Sequence, residues 1–145
     1  MALSNIDILS MCKNIPNFQG VYSKDKLPSD KKNGFYILNL QSENQGNKQG
    51  THWCFLYKTN EGTVYSDSYG GSPPDEILKF ASKPIIYSDN QYQDFNSEWC
   101  GNYCIWMMKQ LSKPSYGVGL ATKYRNILHQ LSETNFEYNK QKILS

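Results

Sequence analysis

Four cysteines and two histidines are the reactive side chains of this 145-residue chain: Cys12, Cys54, Cys100, Cys104, His52 and His129. A cysteine attacks as its thiolate, and an ordinary thiol, with a pKa of about 8.5, is mostly protonated at neutral pH. A helix N-terminus stabilises the anion through its unpaired N–H groups, and a nearby imidazole completes an ion pair. Cys100 stands at the start of the most apolar stretch of the sequence, where Cys100, Tyr103, Cys104, Met107, Met108 and Leu111 recur at helical spacing. The pattern predicts a buried helix opening at or just before Cys100. Gly101, immediately after it, is expected to remove bulk where a substrate would approach.

His129 lies in an amphipathic stretch beside Leu128 and Leu131 and reads as a surface residue. His52 lies on a predicted strand, on the side of Cys54 and Leu56. A single strand histidine is more often structural than catalytic. His52 stands out because a candidate nucleophile follows it and because Asp67 ends the neighbouring strand, where its carboxylate could accept the second imidazole N–H and orient the ring. Asp89 and Asp94 are rivals that do not end an adjacent strand. For the oxyanion of an acyl-transfer reaction, the N–H of Cys100 is one donor and a side-chain amide a second; Gln93 and Gln91 fit equally on this ground.

The elements carrying these side chains follow from pattern. Ser4-Asn5-Ile6-Asp7 has the form of a capping box, opening a helix expected to run to about Ile15, before Pro16. Residues 20–32 read as an irregular crossing. Strands are expected over 34–40, 51–58 and 63–67, the last two joined at Asn60-Glu61-Gly62 as a hairpin, with a polar loop up to Gly50. Ser72-Pro73-Pro74-Asp75-Glu76 starts a short helix, with Ser72 as its cap, and Lys83 to Tyr87 reads as a further strand. A second amphipathic helix carries Leu120, Tyr124, Ile127, Leu128 and Leu131, and the tail adds a turn or two. The order predicts one α+β domain over residues 1–145, with a central cysteine helix packed on a mixed sheet, no internal repeat and no linker.

Composition narrows the function. Hydrophobic residues form 39% of the chain, which argues against disorder throughout. The net charge of +2 does not demand nucleic acid. No apolar run approaches the roughly 18–20 residues that span a bilayer, so no membrane partner is expected. The first residues lack a basic region followed by an apolar stretch, so secretion is not expected and the thiols should stay reduced. His52 and Cys54 with Cys100 and Cys104 could supply four zinc ligands. However, one pair falls on a strand face and the other inside a helix, and the His-x-Glu and Pro-Cys-x-x-Cys signature of zinc deaminases is absent. No metal or cofactor is expected, and Cys12, Cys54 and Cys104 read as small buried residues, with Trp53 and Trp106 as core.

Three blocks then resemble the adenovirus endopeptidase (adenain) family: Gly50-Thr51-His52-Trp53, Ser66-Asp67-Ser68-Tyr69-Gly70, and Gln93-Asp94-Phe95-Asn96-Ser97-Glu98-Trp99-Cys100-Gly101. Phe18 to Lys26 is similar to that family's opening segment, so the resemblance covers most of the chain. It implies Cys100 as nucleophile, His52 as base, Asp67 as orienter and Gln93 as oxyanion donor. It also implies a thiol endopeptidase cutting capsid or core precursors at Gly-containing sites during maturation of a DNA virus or virophage. Such an enzyme would act as a monomer in the virion and the infected cell. An isopeptidase for a ubiquitin-like modifier is the second expectation, and a non-catalytic capsid-binding relative the third. The segment from Glu76 to Gln91 lacks the cysteine that tethers an activating peptide in the adenoviral enzymes, so any such peptide is expected to bind without a disulfide. DNA stimulation finds little support in the modest charge.

Overall fold

The computed structural model describes residues 2–40 and 52–145. The polar loop expected up to Gly50, and Thr51, lie outside the described residues. The described elements are α1 (Asn5–Cys12), β1 (Phe18–Ser23), β2 (Gly34–Asn39), β3 (Trp53–Thr59), β4 (Gly62–Ser66), α2 (Asp75–Phe80), β5 (Ile85–Ile86), α3 (Cys100–Leu111), α4 (Leu120–Leu128) and α5 (Phe136–Leu144). The strands form one mixed sheet in the order β1-β2-β3-β4-β5. The outer pairs, β1–β2 and β4–β5, are parallel, and the two inner pairs are antiparallel. The architecture is α+β, as the order of elements predicts.

The pleat sends alternate residues of each strand to opposite faces, and both faces are covered. Phe35 and Ile37 of β2, Phe55 of β3 and Val64 of β4 join the larger core with α1, α3, α4 and α5. Tyr36 and Leu38, Cys54 and Leu56, and Tyr65 form a second core closed by Ile77 and Phe80 of α2. This explains why β2 is buried along its whole length and reads as a continuous apolar run. Cys12 and Cys104 are fully buried in the larger core and Cys54 in the smaller, so all three pack as small apolar residues.

Several boundaries differ from expectation. The capping box at Ser4 forms in both directions, but α1 ends at Cys12, a turn before Pro16. Residues 18–23, placed partly in an irregular crossing, form β1; it pairs with β2 alone through a register shift near Gly20 and stays half-buried, which erases a clear alternation. Helix α2 is capped at Pro74, not Ser72, with no side-chain cap. Strand β5 shrinks to two residues, and the tail forms a nine-residue helix begun by the Asn135 side chain.

The end of β4 is tied to the helical layer. Ser66 Oγ lies 2.8 Å from both the Tyr103 and Tyr124 hydroxyls, and all three residues are buried. Ser66→Ala strips a shared partner from two buried hydroxyls, and such losses cost about 1–3 kcal/mol. We expect a lower urea midpoint of that order with an unchanged m-value.

Candidate active site

Helix α3 begins at Cys100 itself. Its cap residue, Trp99, offers no side-chain hydrogen bond to the helix. The cap comes instead from Gln93, which is fully buried. With its amide oxygen toward the helix, Gln93 accepts from the N–H groups of Cys100 at 3.1 Å and Trp99 at 3.2 Å and from Ser97 Oγ at 2.9 Å, while its NH2 meets Ser68 Oγ at 2.5 Å. The opposite orientation would aim the NH2 at two backbone donors, so the neighbours select the first. Gln91, the alternative amide, donates to the backbone carbonyl of Gln93 and stays outside this cap.

Cys100 is nearly buried, and its Sγ accepts from the N–H of Trp53 at 3.4 Å. The sulfur thus stands at the first position of a helix with a backbone N–H aimed at it. Gly101 does not face the cleft. A Cβ there would meet Leu3 and Ile8 at 3.4–3.5 Å, so its smallness admits the N-terminal segment and α1 rather than a substrate.

His52 stands just before β3. Its Nε2 lies 2.5 Å from Asp67 Oδ1, and the ring stacks on Tyr69 with centroids 4.0 Å apart and planes 9° from parallel. Nδ1, the second ring nitrogen, is buried without a hydrogen-bond partner. Burial is the largest single influence on His52 and opposes its charge. It is outweighed by the hydrogen bond to Asp67, by a looser contact with Cys100 that falls outside normal hydrogen-bond geometry, and by the negative charges of both, which together push its pKa up to about 9. These neighbours favour the charged form of the His52 ring.

Asp67 follows the last residue of β4, and the turn after it fixes the carboxylate. The N–H of Tyr69 donates to Oδ1 at 2.8 Å and that of Gly71 to Oδ2 at 3.2 Å. A Cβ on Gly71 would fall 2.6 Å from Oδ2, and one on Gly70, at φ +84°, 2.6 Å from the Asp89 carbonyl. Only glycines fit this turn. Asp89 and Asp94, the rival acids, are not hydrogen-bonded to the imidazole. His129 is exposed on the helical layer, as expected.

The structure thus brings Cys100, His52 and Asp67 to one end of the sheet, and Gln93 beneath them as a cap. His52, Trp53 and Cys100 line a cleft of about 1070 Å³ with Leu3, Tyr69 and Phe95. Trp53 is core, as read from sequence, yet its Nε1 also donates to the Leu3 carbonyl at 3.1 Å, so it ties the N-terminal segment to the cleft wall.

Tyr69 was legible as part of a motif but not as a partner of the imidazole, since stacking depends on how the turn folds back over the strand end. Its hydroxyl reaches the Ser97 carbonyl at 3.3 Å, and its ring meets Phe95 edge-on at 5.1 Å. An aromatic face beside a cation contributes about 0.5–2 kcal/mol, so Tyr69→Ala should lower kcat/KM of the proposed reaction between about 2- and 30-fold. It should also move the alkaline limb of the pH profile downward. Tyr69→Phe, which keeps the ring, should leave both nearly unchanged.

The sequence matches no protein-family model and no curated protein. Among solved structures, the ASFV pS273R protease aligns with a TM-score of 0.56 at 12% identity, over 94% of this chain and 64% of that one. A selenomethionine form of the same protease aligns with a TM-score of 0.34 at 19% identity, over 65% of this chain and 42% of that one, too little to bear on the fold. This chain spans about two-thirds of the length of the first. With so few identical residues, the likeness is one of architecture: nearly the whole chain is folded like part of the ASFV pS273R protease.

Proposed function

We propose that the chain is a cysteine endopeptidase that processes viral precursor proteins. The observation carrying this reading is the Cys100, His52 and Asp67 constellation at the mouth of one cleft, on a fold shared with a viral protease. Cys100 attacks the scissile carbonyl as a thiolate; His52, oriented by Asp67, holds the proton and delivers it to the leaving amine. Water then hydrolyses the thioester with His52 as base.

Oxyanion stabilisation falls to the Cys100 N–H and the Gln93 amide. In the resting arrangement these two groups occupy each other. Service as a second donor requires a half-turn of the buried amide, against its resting contacts with Ser68, Ser97 and Trp99, to present the Gln93 NH2 beside the freed N–H. The substrates are capsid or core precursors cut at Gly-containing sites during virion maturation, in the manner of the adenain family. The enzyme acts as a monomer, in the virion and the infected cell, with any activating peptide bound without a disulfide.

The test is incubation of the purified chain with capsid and core precursors encoded beside it, and with a lysine-linked conjugate of a ubiquitin-like modifier. We expect internal cleavage of the precursors. Cleavage of the conjugate alone would move the assignment to an isopeptidase. Cleavage of neither, by protein whose Cys100 still reacts with an alkylating agent, would sink the proposal.

A further inference from the structure

Behind the imidazole, on the side facing the smaller core, lies a cluster that the proposed reaction does not use in full. One donor atom from each of His52, Cys54 and Asp67 lies within 4.8 Å of the other two. Cys54 is fully buried and Asp67 nearly so, while His52 opens on the cleft. The register explains the grouping: Cys54 and His52 alternate along one side of the β3 end, and Asp67 follows β4, which pairs with β3. The set weighed from sequence and set aside joined His52 and Cys54 with Cys100 and Cys104; in the fold Asp67 stands beside Cys54 instead.

We propose that His52, Cys54 and Asp67 form a zinc site that switches off the proposed protease. A thiolate, an imidazole and a carboxylate make a donor set suited to Zn²⁺, leaving a fourth position for water. Bonds of about 2.0–2.3 Å set tetrahedral donors roughly 3.3–3.8 Å apart. The widest separation in the cluster must therefore close by about an ångström. The 2.5 Å contact between His52 Nε2 and Asp67 Oδ1 must open by a similar amount. Both are side-chain adjustments.

The surroundings suit a cation. The neighbours that act on the His52 charge, Asp67 and Cys100, are both anionic when ionised. The Tyr65 hydroxyl lies beside Cys54 yet has no hydrogen bond of normal geometry; with His52 Nδ1 it is one of two such buried side-chain atoms among the described residues. The Tyr65 orphan calls for an explanation, since the proposed site leaves Nδ1 unchanged. A zinc-bound Cys54 thiolate would accept the Tyr65 O–H.

Loading balances without redox chemistry. Zn²⁺ takes the lone pair of His52 Nε2, the Cys54 sulfur and an Asp67 oxygen. The proton between His52 and Asp67 and the Cys54 thiol proton leave to solvent. With Nε2 on the metal and Asp67 turned away, the imidazolium that Cys100 requires is lost. Cys100 itself is not a ligand.

The test titrates the full chain with Co²⁺ as a spectroscopic stand-in for Zn²⁺, a readout that needs no turnover and so stands apart from the protease reading. Wild type and Cys100→Ala should both show a sulfur-to-cobalt charge-transfer band that Zn²⁺ abolishes. Cys54→Ala should bind cobalt at least tenfold more weakly, without the band. Zn²⁺ should inhibit peptidase activity, reversibly by a chelator. A wild type with no band, a band surviving Cys54→Ala, or a band lost in Cys100→Ala would each overturn the site; the last would place the metal on the Cys100–His52 pair. Should Cys54→Ala not fold, the wild-type and Cys100→Ala titrations decide. A cobalt band in a protein that cleaves nothing would leave the metal site intact and remove the protease.

Discussion

Cys100→Ala is expected to reduce cleavage to background, a loss on the order of a millionfold, as for a nucleophile removed from a triad hydrolase. No other group can substitute at that point. The remaining thiols, Cys12, Cys54 and Cys104, are fully buried, and burial pushes each of them up, away from the reactive form. The variant should fold, since Cys100 is at the cleft end of α3 and its backbone N–H keeps the Gln93 cap. Stoichiometric alkylation checks the same assignment: one equivalent should enter native protein, at Cys100, and none should enter the variant. Cys104→Ser should do the reverse, lowering stability by placing a hydroxyl in the core while Cys100 remains alkylatable.

Asp67→Asn is expected to cost about 10²–10⁴-fold in kcat, the scale of general acid–base catalysis. The amide oxygen can still accept from the Tyr69 N–H, while the NH2 displaces the bond from the Gly71 N–H, so the turn should keep one of its two ties to the side chain. What disappears is the charge that holds His52 protonated against its burial, since the oxygen that accepts from the Tyr69 N–H is also the atom facing His52 Nε2. The pH dependence follows with a definite sign. His52 is raised from an ordinary value of about 6.5 to about 9 on folding, so the charged form stabilises the native state. That contribution, a few kcal/mol in scale, is fully present below about pH 6.5 and is lost as pH rises through about 9. Wild type should therefore lose stability between those limits relative to Asp67→Asn, measured as urea midpoints across the range. The alkaline limb of kcat/KM, near pH 9 in wild type, should move down in the variant. An identical limb in both would separate Asp67 from the base.

Helix α3 was readable because a long, strongly periodic apolar run admits one solution, and it starts at Cys100, the candidate nucleophile. The β3–β4 hairpin was readable because Asn60-Glu61-Gly62 sets the register, and the register put Asp67 near His52. Strand β1 was not readable: it is half-buried and parallel to its neighbour, so its burial depends on what lies against it rather than on its own alternation. Gly101 misled for a related reason. Proximity to the nucleophile suggested room for a substrate, whereas the packing of Leu3 and Ile8 decides that the space is filled from the N-terminal side.

The candidates for the reactive groups could be named from the sequence by itself, because so few side chains could serve: one cysteine at a helix start, one histidine on a strand and one acid at the end of its partner. Local hydrogen bonding and periodicity carry that much. Tertiary structure alone decided how those groups are held. It stacked Tyr69 on the imidazole, turned Gln93 into the cap of α3, aimed the Trp53 N–H at the sulfur and set Cys54 beside Asp67. Each joins atoms from different elements, and such contacts form only once a sheet and the helices on its two faces have closed on one another.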